Sequence, residues 1–259
     1  MKEAVPQDWP YPRWIAHRGA GKLAPENTMA AFRLGAAHGY RMFECDVKLS
    51  SDGVPFLLHD ATLERTTDGP QRIGAGGSEL AGEHPWAELA KLDAGSWHSS
   101  AFVNEPVPTL QTLAAFCIAE GYALNIEIKP TPGTARHTAS VVADQVAQLW
   151  QGQALTPLLT SFEPDALRAA QQCQPALRRG LLLNTLRDDW LEAALALGCC
   201  ALVCNYHLWD AHRVAQAQRA GLRTLSYTVN EAAVAEHLLA LGTDGIITDR
   251  VDLFDPRQS

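Results

Sequence analysis

The chain has 259 residues, 47% of them apolar and 19% charged, enough to bury a full core and within the size range of one α/β barrel domain. Its formal charge of −8, with no long basic run, argues against a nucleic-acid surface, so an anionic substrate needs a local positive pocket. No stretch approaches the roughly 18 apolar residues of a membrane helix; residues 1–8 lack an apolar signal core, and the six cysteines lack zinc-type spacing and read as buried, reduced thiols. Together these point to a cytoplasmic protein without stable membrane association.

In chain order, the first apolar run covers residues 14–17 and ends in His17-Arg18-Gly19. Pro25-Glu26-Asn27-Thr28 then leads into Met29-Ala30-Ala31-Phe32, where Asn27 and Thr28 either cap the first helix or support the site. Glu26 is placed to orient Arg18 or to touch a ligand. The second strand, 42–47, carries Glu44 and Asp46 two residues apart, and therefore on one face. The run 54–59 follows Asp52-Gly53, a hairpin signal, and should fold back antiparallel. A turn centred near Asp52 sets residues 45 and 46 opposite 59 and 58, bringing His59 beside the acidic pair.

About fifty residues, 60–108, show no sustained helical or strand period. Structureless loops beyond roughly 12–15 residues are uncommon unless functional, so this segment reads as an insertion over the barrel mouth, either a flap with a small cluster around Trp86, Trp97 and Phe102 or a shaper of the substrate site. Beyond it, strands are expected at 123–128, 157–162, 179–183, 201–205, 223–229 and 245–248. Helical patterns alternate with them at 135–150, 165–173, 188–197, 210–220 and 231–241, the last capped by Gly242. With the two N-terminal strands this makes eight parallel strands, the number that closes a (β/α)8 TIM barrel, with residues 1–259 as a single domain and the hairpin and insertion over the C-terminal face.

Barrel enzymes place their chemistry at the C-terminal strand ends, where His17, Glu44, Asp46, Glu127 and Lys129 fall. Three buried carboxylates without a cation would be costly. An all-oxygen set suits Mg²⁺ or Ca²⁺, with Mn²⁺ a third candidate, and the lack of thiolate or clustered imidazole weighs against zinc. Together with a divalent cation, Arg18 and Lys129, these carboxylates leave one net positive charge, matched to one phosphodiester. Arg18 suits bidentate contact with phosphate oxygens and Lys129 acts as a point charge. His17 and His59, flanking the acidic pair, could divide proton transfer between the nucleophile and the leaving alcohol. Tyr227, in Tyr227-Thr228-Val229-Asn230, offers either an aromatic wall at another upper strand end or core packing.

These residues, together with Leu63-Glu64-Arg65-Thr66-Thr67, Asp93-Ala94-Gly95-Ser96-Trp97, Asn125-Ile126-Glu127-Ile128-Lys129-Pro130 and Gly245-Ile246-Ile247-Thr248-Asp249, resemble the glycerophosphodiester phosphodiesterase family of bacterial cytosolic type over nearly the whole chain. The resemblance implies hydrolysis of small glycerophosphodiesters to sn-glycerol 3-phosphate and an alcohol. It implies His17 and His59 as the acid/base pair, Glu44, Asp46 and Glu127 as ligands of one divalent cation, and Arg18 and Lys129 as phosphate contacts. Tyr227 stands where many relatives have Trp. The nucleophile is either the glycerol 2-hydroxyl, through a cyclic phosphate, or water; from position, His17 is expected as base and His59 as acid. Two alternatives compete: a lysophospholipase D or sphingomyelinase D-like enzyme, which requires an apolar docking rim, and a non-catalytic sensor of glycerophosphodiesters, which requires a missing histidine or ligand. The oligomeric state is not encoded in any of these signals.

Overall fold

Alternation along the strands divides the apolar residues into two buried sets. Ile15, Met42, Ala123, Leu158, Val203, Leu225 and Ile247 form one cluster, while Trp14, Phe43, Cys45, Leu124, Ile126, Leu159 and Leu202 join the helices in another. The first set fills a barrel and the second its outer wall. The computed structural model describes residues 9–73 and 78–257, so the N-terminal stretch 1–8 examined for a signal core lies outside the described residues. The strands are β1 (Trp14–Ala16), β2 (Met42–Leu49), β3 (Pro55–Leu57), β4 (Ala123–Ile128), β5 (Leu158–Ser161), β6 (Arg178–Leu183), β7 (Ala201–Asn205), β8 (Arg223–Tyr227) and β9 (Gly245–Thr248). Their order is β1-β9-β8-β7-β6-β5-β4-β2, parallel throughout, and pairing of β1 with β2 at Ala16 and Phe43 closes the ring. This is the expected (β/α)8 barrel.

β3 lies antiparallel on the C-terminal end of β2, beyond the point where β2 meets β1, pairing Val47 with Leu57, Lys48 with Phe56 and Leu49 with Pro55. Leu58 N donates to the Asp46 carbonyl (3.1 Å), which carries the expected register one step further, to the level of the acidic pair. Trp9 and Tyr11 pack against the inner cluster from below, and Tyr11 Oη donates to the carbonyl of Thr156 (2.8 Å), giving the barrel a floor. Chemistry is therefore confined to the other end.

Helix ends follow local rules. Thr28 caps the helix Met29–Ala37 by accepting from Ala31 N, and Thr109 caps Leu110–Glu120 in the same way. Gly242 ends Ala232–Leu241 in the left-handed conformation, φ 85°.

The segment after β3 contains short helices at Gly69–Ile73 and Trp86–Leu89 and 3-10 turns at Ala81–Glu83 and Ser100–Phe102. Its own core is Leu63, Ala81, Leu89, Leu92, Ala94 and Val107 packed on Phe56 and Leu58, with Trp86 at the edge. The aromatic cluster of the flap reading is split: Trp86 packs on Phe56, whereas Trp97, 40% exposed beside the site, meets Phe102 only through the ring of His98 (5.5 and 5.4 Å). The reason is the turn 93–104, which Asp93 pins by accepting from the backbone N–H of Gly95, Ser96 and Asn104. Five cysteines are buried and free, but Cys173 is exposed at the last residue of the helix Pro164–Cys173, beyond its buried positions Ala166, Leu167, Ala169 and Ala170.

Candidate active site

The inward-facing positions of β2 and β4 set the centre. Glu44 and Asp46 follow Met42 on the interior face, and Asp46 is in register with Glu127. Ligand oxygens of Glu44, Asp46 and Glu127 all lie within 4.8 Å of one another, and all three residues are buried. Burial first, then the charges of Asp46 and Glu127, pushes Glu44 well above the usual carboxylate range. Burial and Asp46 together push Glu127 up to about 7. Asp46 is also fully buried, but Arg18, Lys129 and His59 outweigh burial and hold it well below the usual range. Its Oδ1 has no hydrogen bond, only the Lys129 ammonium at 3.5 Å. A crowded oxygen-only set with an unshared acceptor fits a hard divalent cation.

Two histidines face this centre, each anchored by an aspartate. From the end of β1, His17 places Nδ1 2.6 Å from Asp249 Oδ1, just past β9, and Nε2 3.8 Å from Glu44 Oε2. Asn230 holds Asp249 by donating Nδ2 to Oδ2 (2.9 Å) and accepting the Asp249 N–H (2.9 Å). From the returning hairpin, His59 places Nδ1 2.7 Å from Asp60 Oδ1. In both cases Nδ1 is taken, which leaves Nε2 for chemistry. Burial, then Arg18 and Lys129, lowers the pKa of His59.

Arg18 adopts φ 52° and donates its own N–H to Glu44 Oε2 (3.1 Å), while its guanidinium reaches Glu26 Oε1 (2.8 Å) and lies 3.1 Å from Asp46 Oδ2. Gly21, at φ 57°, lets this loop pass the Asp249 backbone: a Cβ there would sit 2.1 Å from the Asp249 carbonyl oxygen. Lys129 Nζ reaches both Glu127 Oε1 (3.3 Å) and Asp46 Oδ1 (3.5 Å).

Of the two residues expected to cap or support, Thr28 caps and Asn27 supports. Asn27 Nδ2 donates to Asp46 Oδ2 (2.8 Å) and its Oδ1 accepts from Asp46 N (3.1 Å), at φ 58°.

His17, Arg18, Glu44, His59, Glu127, Lys129 and Tyr227 line one cavity of about 170 Å³. Asp46 lies behind this wall and Glu26 outside it, in an adjoining groove of about 320 Å³ with Arg65 and Trp97; His17 and Arg18 line both. Tyr227 combines its two expected roles: its ring meets Phe162 edge-on at 5.9 Å, and its hydroxyl donates to the Leu183 carbonyl (2.9 Å). Asn125, fully buried below Glu127, borders the cavity and accepts from Thr160 Oγ1 through Oδ1 (2.9 Å), while its buried Nδ2 has no hydrogen-bond partner.

Sequence reasoning missed Asp60, Asp249, Asn230, Asn125 and Arg65 as parts of the site. Four of them stand inside the quoted motifs or the late strand-end segment, and Asp60 directly follows His59, which is the signal that could have found them.

Residues 17–253 match the model of the glycerophosphoryl diester phosphodiesterase family. The glycerophosphodiester phosphodiesterase of Caldanaerobacter subterraneus is 30% identical over 240 residues, 91% of this chain and 93% of that protein. Among solved structures, an Oleispira antarctica phosphodiesterase in complex with the product sn-glycerol-3-phosphate superposes with a TM-score of 0.87 at 34% identity, covering 96% of this chain and 98% of that one. A glycerophosphodiester phosphodiesterase from Agrobacterium tumefaciens gives 0.77 at 26%, covering 94% and 99%.

Proposed function

Because the chain belongs to the glycerophosphoryl diester phosphodiesterase family, we propose that it hydrolyses glycerophosphodiesters to sn-glycerol 3-phosphate and an alcohol, using a divalent cation and two histidines. The observation that carries this reading is the meeting, around one cavity, of two aspartate-anchored imidazoles, two cationic side chains and a three-carboxylate seat whose third member, Asp46, lies just behind the wall. Neither histidine and none of the three carboxylates is missing, which disfavours a non-catalytic sensor.

Glu44, Asp46 and Glu127 would hold the cation, which when bound supplies Lewis-acid polarisation of phosphoryl oxygens. Arg18 and Lys129 meet the charge on the phosphate, with Arg18 held by Glu26 and Asp46 so that little reorganisation is needed as charge develops. The lowered pKa of His59 favours its neutral form, the one that accepts a proton. This gives His59 the base's part and leaves His17 to protonate the leaving alcohol, the reverse of the roles expected from position.

Release of glycerol 3-phosphate from several glycerophosphodiesters, by EDTA-treated protein and after separate addition of Mg²⁺, Ca²⁺ or Mn²⁺, tests the cation. Full activity without any divalent ion would exclude it. His17→Ala and His59→Ala should each lose about 10²–10⁴-fold in kcat. A substrate with an activated leaving group should recover His17→Ala selectively; selective recovery of His59→Ala would restore the positional assignment.

A further inference from the structure

Arg65 sits in the segment after β3, within the Leu63–Thr67 motif to which no role attached, and it touches neither the cavity centre nor the three carboxylates. Its guanidinium makes two forked pairs. Nη1 and Nη2 donate to Glu26 Oε2 and Oε1, at 2.8 Å each, while Nε and Nη2 donate to Asp60 Oδ2 and Oδ1 at 2.6 and 2.9 Å. Two of those four acceptors already hold the site: Glu26 Oε1 accepts from Arg18 Nη1 (2.8 Å), and Asp60 Oδ1 lies 2.7 Å from His59 Nδ1. The single nitrogen Nη2 therefore stands between the oxygen that anchors Arg18 and the oxygen that anchors His59.

We propose that Arg65 is a positioning residue that fixes the spacing between His59 and Arg18 through Asp60 and Glu26. The proposal rests on the reading of His59 as a proton-transfer group and Arg18 as a phosphate contact. Half-exposed ion pairs ordinarily contribute little to stability, and Arg65 is 44% exposed. What it contributes is geometry: a planar fork matched to two carboxylates on different loops. Remove it, and Glu26 and Asp60 are left facing each other as like charges; each relieves the repulsion by turning, carrying Arg18 or His59 with it. A lysine brings one nitrogen, so it can meet the charge but not four oxygens in fixed directions. Displacement of a reacting group by about 1 Å can cost 10²-fold.

Steady-state constants with sn-glycero-3-phosphocholine or sn-glycero-3-phosphoethanolamine, whichever the wild type cleaves faster, test this in Arg65→Ala, Arg65→Lys, His59→Ala and the double variant Arg65→Ala/His59→Ala, alongside thermal unfolding. Arg65→Ala should lower kcat by about 10²-fold and raise KM several-fold while remaining folded. Arg65→Lys should recover KM in part but not kcat. In the double variant the loss in kcat should be smaller than the product of the two single losses, because the part of Arg65's effect that runs through His59 is already gone, whereas the part that runs through Arg18, with its rise in KM, should persist. Multiplicative losses in kcat, near-wild-type kcat in Arg65→Ala, or full recovery by Arg65→Lys would each overturn the proposal. If Arg65→Ala does not fold, Arg65→Gln takes its place. A wild-type kcat in His59→Ala would instead remove the underlying reading, and the proposal with it.

Discussion

Asn27→Ala tests whether the acidic centre is held by the protein itself. Asn27 is 3% exposed and meets Asp46 twice, through side chain and backbone. Truncation deletes a hydrogen bond to a charged acceptor, about 1.5–3 kcal/mol, and leaves a buried N–H unpaired, about 1–3 kcal/mol. Alanine at φ 58° adds about 1–2 kcal/mol that asparagine largely avoids. Allowing for overlap, the loss should be about 4 kcal/mol, a large share of the ~5–15 kcal/mol typical of a folded domain. Urea unfolding in EDTA isolates the protein's own bonds from any contribution of a cation. Asn27→Gly, free of the backbone penalty, should be about 1 kcal/mol more stable than Asn27→Ala. A loss below about 1 kcal/mol in Asn27→Ala would refute the view that these two bonds organise Asp46.

Gly21→Ala should destabilise by more than about 3 kcal/mol, since its Cβ would enter the Asp249 backbone, and the same variant should lose activity as Asp249 shifts from His17; a near-native melting profile would count against this. Asp249, held to about 2 by His17 and Asn230 against its burial, has a folded pKa below the ordinary aspartate value of 3.8. Its contribution is therefore complete above about pH 4 and is lost as pH falls toward 2, so Asp249→Asn should show a shallower decline in stability across that window than the wild type. Asn125→Ala should lower stability by about 1–3 kcal/mol, because the fully buried side chain gives up the hydrogen bond it accepts from Thr160 Oγ1 (2.9 Å); an unchanged melting profile would count against that role.

The barrel was legible because strand and helix periods differ and because residues that share a face stand two apart. That arithmetic put Glu44 with Asp46 and Glu127 with Lys129, and the Asp-Gly turn returned His59 to the same height. The partners of the histidines had no such signature. Asp249 lies 232 residues from His17, so nothing local links them until β9 is laid beside β1. Arg65 sits in a stretch without period, where only the fold reveals that two loops meet across its side chain. The segment around Trp97 resisted reading for a related reason: its path is set by backbone hydrogen bonds to Asp93, and a hydrophobicity pattern does not register an anion collecting N–H groups.

The seam of the barrel has a consequence for biosynthesis. β9 is the last of the eight barrel strands in chain order, yet it is the neighbour of β1, and the carboxylate that aligns His17 follows it directly. A nascent chain that has folded seven strands presents a sheet with two open edges and an imidazole without its anchor. Turnover should therefore appear only once the ring has shut, so that catalytic output doubles as a reporter of completed closure, and chains ending before residue 245 should be both inactive and prone to edge-to-edge association.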